Sequence, residues 1–207
     1  VDVGGCTLEG ASRFVKFCGN YVRNGGTVAM GNVRSRAEHY EHLPTGQHLV
    51  SDNVFESGVC YGGCQVRAAA GAVQVLVTDN TFVNFGTSAI EIIGQADNRH
   101  LTAETSTISG NVIDLTSFLE QPQKRWAVIV TGSHVIVSDN QVYVRGETDA
   151  DVTAIRLREP AVNISVHDNL IRACGTGILA ERADSRITEV IDERTFAALP
   201  SARVHFE

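Results

Sequence analysis

Apolar and polar residues alternate with a period of two over short stretches of this chain, and one such stretch recurs six times as apolar-x-apolar-x-Asp/Gly-Asn-x-apolar. The copies read VKFCGNYV (15–22), HLVSDNVF (48–55), VLVTDNTF (75–82), STISGNVI (106–113), VIVSDNQV (135–142) and ISVHDNLI (164–171), and two of them lack the first apolar residue. A period of two marks a half-buried strand, so one strand enters each Asp/Gly-Asn pair and another leaves it. Asn and Gly tolerate positive φ, which lets the chain bend there without a wide loop. The six asparagines are Asn20, Asn53, Asn80, Asn111, Asn140 and Asn169, at intervals of 33, 27, 31, 29 and 29 residues.

A second apolar segment follows each corner: VAMG (28–31), CQVRA (64–68), AIEIIG (89–94), AVIVTG (127–132), AIRLRE (154–159) and GILAE (177–181). Each repeat therefore holds about three short strands, a unit too small to bury its own apolar side chains. Successive units must stack, like residue over like, into a solenoid with a Val/Ile interior and a ladder of Asn amides that bond the turn backbone. Composition agrees. The chain has 26 Val and 13 Ile against 11 Leu, a bias toward β-branched side chains that suit a pleated sheet.

The DN/GN copies and the strands after them resemble the right-handed parallel β-helix superfamily, the fold of pectate lyases and related polysaccharide-active proteins, from about residue 15 to 181. A leucine-rich repeat also satisfies the core pattern. It is set aside because Leu is a minority of the branched aliphatic residues and because these units carry a second regular strand segment. The resemblance implies an all-β, right-handed parallel β-helix of about six coils over 1–186, with 187–207 as a capping segment of short helix plus strand. It also implies a polysaccharide partner and an extracellular or periplasmic location.

Seventeen basic and 24 acidic residues give a net charge of −7, the wrong sign for an affinity built on neutralising phosphates, so no nucleic acid is expected. No apolar run nears the ~20 residues of a spanning helix, so no membrane partner is expected. Five cysteines cannot all pair within one chain, and their spacing matches neither a zinc ribbon nor a finger. No basic stretch followed by an apolar one opens the sequence and no Met begins it, which reads as a mature or trimmed segment with further domains of a longer chain.

Extra residues must leave short coils as lateral loops. Segment 32–46 holds Glu38, His39, Tyr40, Glu41 and His42; 95–105 holds Asp97, Arg99, His100 and Glu104; 115–125 holds Phe118, Glu120, Lys124 and Arg125, beside Trp126. His39 and His42 have ligand chemistry, but a mixed-charge surface loop explains them as well, and no metal site is assigned. No cofactor is called for, with a divalent cation such as calcium left open.

Strict alternation in the second strand places Val28, Cys64, Ile90, Val128, Ile155 and Ile178 in one inward column and Met30, Val66, Ile92, Val130, Leu157 and Ala180 in another. The outward columns then read Ala29, Gln65, Glu91, Ile129, Arg156, Leu179 and Gly31, Arg67, Ile93, Thr131, Arg158, Glu181. With rungs ~4.8 Å apart, Arg67 nearly touches Glu91, and Glu91 lies about 10 Å from Arg156. For a lyase on a uronic-acid glycan, Arg156 and Arg158 supply cations to neutralise the sugar carboxylate. Glu91 completes the catalytic set, and Gln65, Arg67, Thr131, Glu181 and Trp126 line the substrate. A hydrolase needs two carboxylates about 5–10 Å apart, whereas Glu91 and Glu181 are three coils apart, so a lyase is the better enzymatic expectation. The alternative of another class is a non-catalytic module for adhesion, glycan binding or structure, in which exposed Arg/Glu ladders only solubilise the sheet.

Overall fold

The computed structural model of the chain describes residues 6–8, 13–23, 27–31, 45–56, 64–69, 71–85, 87–93, 104–116, 124–145, 149–158, 161, 163–180 and 204–206. The described residues form strands and corners with no helix. Each repeat gives one strand to each of three parallel sheets, which makes the molecule a parallel β-solenoid. An entry sheet takes the strand before each Asn corner, from Lys16–Cys18 through Leu49–Ser51, Leu76–Thr78, Thr107–Ser109 and Ile136–Ser138 to Ser165–His167. An exit sheet takes the strand after it, from Tyr21–Arg23 through Val54–Glu56, Thr81–Val83, Val112–Thr116 and Gln141–Arg145 to Leu170–Arg172. The third, wide sheet holds Val28–Met30, Cys64–Ala68, Ser88–Ile92, Arg125–Val130, Asp149–Leu157 and Cys174–Ala180. It runs one strand further at each end, with Cys6–Leu8 on Val28–Met30 and Val204–Phe206 on Cys174–Ala180. Of the predicted capping segment, 204–206 is the described part.

In-register pairing stacks like on like. Val50, Val77, Ile108, Val137 and Val166 form one column of the entry sheet, and Phe55, Phe82, Ile113, Val142 and Ile171 form one of the exit sheet. All are buried, so Val and Ile fill most of the space between the sheets as predicted, with Phe55 and Phe82 taking two positions of the exit-sheet column. Phe55 and Phe82 stack with ring centroids 4.9 Å apart, and Phe17 extends that stack at 6.4 Å.

The Asp/Gly residue of each corner carries the left-handed conformation, from φ 55° at Asp168 to φ 68° at Gly19, and the Asn after it points inward. Both the main-chain and side-chain N–H groups of Asn80 donate to Asn111 Oδ1, at 3.0 Å each. Asn111 repeats this to Asn140 and Asn140 to Asn169, while each side-chain amide also donates to entry-strand carbonyls. A Cβ on Gly110 would run into the Asp79 carboxylate, which folds over it from the preceding rung.

A second left-handed corner recurs at the same intervals, at Phe14, Gln47, Gln74, Thr105, His134 and Asn163, just before each entry strand. Inter-rung backbone hydrogen bonds hold several of these residues there, such as Gln47 N–H to Val73 C=O at 3.0 Å and Gln74 N–H to Glu104 C=O at 2.9 Å. That offsets the roughly 1–2 kcal/mol strain of the left-handed region for a residue with a Cβ.

The wide sheet corrects two expectations. Val66, not Cys64, stands in register with Val28 and Ile90, and Ala68 stands with Met30 and Ile92. The chain between Asn53 and this strand is longer than in the neighbouring repeats, which slides the strand by one full pleat period. Alternation is also interrupted, because Ala89 with Ile90, Ala127 with Val128 and Ala154 with Ile155 are all buried consecutive pairs. Outward positions on either side of such a pair are thus three residues apart rather than two.

Candidate functional site on the outer face of the wide sheet

The corrected register brings the polar residues of this face closer together than strict alternation does. Arg67 shares a column with Ala29 and Glu91 rather than lying one column over, and its Nε approaches Glu91 Oε2 at 3.4 Å. Ser88, three residues before Glu91, donates from Oγ to Glu91 Oε1 at 2.6 Å across the interrupted pleat. Glu91 thus accepts one hydrogen bond, from Ser88, and faces the Arg67 guanidinium, whose buried Nε makes no hydrogen bond, and its side chain is 14% exposed. One rung on, Trp126 stands beside Ser88 and Ile129 beside Glu91. The next rung places Arg156 beside Ile129, two steps from Glu91 as the spacing predicts. Its guanidinium lies 4.6 Å from the centroid of the Trp126 ring, a stacked cation–π pair one rung apart.

The remaining expected site residues separate. Gln65, expected to face outward, is buried at the wide-sheet start, because the two-residue slip moves it out of the Glu91 column. Thr131 is buried as well and donates from Oγ1 to the Ile92 carbonyl at 3.3 Å, a rung-to-rung bond. Arg158 is exposed, with its main-chain N–H donated to Val130 C=O at 2.9 Å. Glu181 lies outside the described residues, as do His39, His42, Asp97, Arg99, His100, Phe118 and Glu120.

Elsewhere, His134 Nε2 lies 3.1 Å from the Asn163 amide nitrogen and His167 Nδ1 lies 2.9 Å from Asp168 Oδ2, each at its own corner. Among the described residues no three His, Cys, Asp or Glu side chains come together as metal ligands. Cys18 is a free thiol, and Cys174 Sγ lies 3.7 Å from the Arg172 carbonyl oxygen.

Sequence reasoning missed two contributors. Ser88 falls on an inward position under strict alternation, so its bond to Glu91 leaves no periodic signal. Arg125 reads as the end of a polar loop but is 4% exposed in the structure, at the first position of its strand. No family model matches this chain, and neither the curated proteins nor the solved structures contain a match to it.

Proposed function

We propose that the outer face of the wide sheet binds a polysaccharide bearing acidic groups, and that the chain is a right-handed, pectate lyase-like β-helix module working outside the cytoplasm. The observation that carries this reading is the Trp126–Arg156 stack, which begins one rung on from the Arg67–Glu91–Ser88 cluster on the same sheet face. An indole edge beside a fixed guanidinium offers apolar and charge-assisted contact together, the pairing that an acidic sugar needs. Glu91 serves as the anchor of Arg67. With one oxygen accepting from Ser88 and the other facing Arg67, Glu91 is tied into the sheet face, so binding without bond cleavage fits better than turnover.

The test is a binding panel of alginate, pectate and glycosaminoglycans with an ultraviolet assay for unsaturated product. Trp126→Ala and Arg156→Ala are each expected to weaken binding tenfold or more, about 1.4 kcal/mol, at unchanged melting temperature. Wild-type affinity in both variants overturns the site. Unsaturated product from the wild type overturns the non-catalytic reading and restores the lyase.

A further inference from the structure

We propose that Arg125 forms the base of an oxyanion site on this chain, taking a carboxylate or sulfate group where the chain arrives from the exit sheet and enters the wide sheet. Arg125 is 4% exposed, and its Nη1 is fully buried with no hydrogen-bond partner among the described residues. The ion pairs between described residues are Arg23–Glu56, Arg67–Glu91 and His167–Asp168, none of which involves it. Its ladder neighbours are Thr87, whose carbonyl accepts from Trp126 N–H, and Val152, and neither carries a counter-charge. Asp114, the buried carboxylate on the exit strand of the same repeat, forms no ion pair with it. Lys124 precedes it and adds a second positive charge at the same edge.

A guanidinium cannot escape burial by shedding its proton, unlike a lysine or a histidine. An unpaired buried charge is strongly unfavourable, so a partner of opposite sign completes the site. The planar fork of N–H donors matches two oxygens of a carboxylate or sulfate in a bidentate contact. The assignment is independent of the outer-face glycan reading, because it rests on other atoms and is tested with small anions alone.

The experiment is thermal unfolding of the full chain at constant ionic strength, exchanging chloride for sodium sulfate in one arm and for sodium glucuronate in the other. Wild-type melting temperature is expected to rise with the logarithm of at least one anion, as ligand linkage requires. Arg125→Met, unbranched and apolar, is expected to lose that response. It should also melt at or above the wild-type temperature in chloride, since an unpaired buried charge has been removed. Arg125→Lys keeps the charge without the fork and is expected to bind at least tenfold more weakly by calorimetry. A response to sulfate alone assigns a sulfate ester, and a response to glucuronate alone assigns a uronate. Three results overturn the site: no response in wild type, an equal response in Arg125→Met, or an Arg125→Met that melts lower in every buffer. The last means that a carboxylate of the chain itself is the partner.

Discussion

His48 stands one residue before its entry strand, where the repeats on either side carry Val15 and Val75, and it is buried. Its Nδ1 accepts the Val15 main-chain N–H at 3.3 Å, and burial lowers its pKa from 6.5. The sign follows directly. Below pH 6.5 the unfolded chain takes up a proton that the folded chain resists, so the stability present above that pH is lost as pH falls toward the folded pKa. The fall in urea midpoint between pH 7.5 and pH 5 is expected to be smaller in His48→Val than in wild type, and equal slopes would remove His48 from the acid response. At this scale the sequence was legible where a residue shares its role with neighbours in the column, as Val77 does with Val50 and Ile108. It was illegible for Ser88 and Arg125, whose roles depend on one interrupted pleat and one strand entry.

At the scale of the element, the Asn ladder and the second left-handed corner do similar work with opposite visibility. The Asn corner is readable because only a short amide can accept two hydrogen bonds from the rung before and still donate to strand carbonyls. The other corner holds Phe, Gln, Thr, His and Asn in one conformation, with inter-rung backbone bonds at Phe14, Gln47, Gln74 and Thr105 and a side-chain contact between His134 and Asn163, so no residue type marks it. Removing a ladder amide strands buried partners on both sides. Asn111→Leu leaves the Asn80 N–H groups and the Asn140 amide oxygen short of a partner, at about 1–3 kcal/mol for each group. The expected loss is roughly 3–5 kcal/mol in chemical denaturation, against about 1 kcal/mol for Asn20→Leu at the half-exposed end of the ladder. Equal losses at the two positions would show that the ladder is not a buried, cooperative element.

For the whole molecule, corner-to-corner intervals vary from 27 to 33 residues while the register of the entry and exit sheets stays constant. Length differences are absorbed between strands except at two places among the described residues, a register shift between Asp149 and Thr153 and the strand Cys64–Ala68, and the second is where column assignment from sequence slips. Four Gly/Ser residues inserted after Glu120, where the sequence predicts a lateral loop, are expected to cost about 1 kcal/mol or less, by loop-closure entropy. One residue inserted between Asp139 and Asn140 is expected to cost several-fold more, because it turns the following strand inside out. Comparable denaturation midpoints for the two insertions would contradict this. The fold was therefore legible from periodicity alone, whereas the chemistry was not. A repeat announces where side chains stack, and a site announces itself only through departures from the repeat.

The Asn ladder also has a direction. Every amide oxygen from Asn53 to Asn169 accepts from the rung before it, while no described residue donates to that of Asn20. Gly19 beside it has nothing within 4 Å of where a Cβ would stand, the space that Asp79 fills over Gly110. The N-terminal corner is in this sense a growth face, as on a crystal. An added repeat with an Asp-Asn corner finds there an acceptor for its amide and a seat for its carboxylate, and so enters in a register already set.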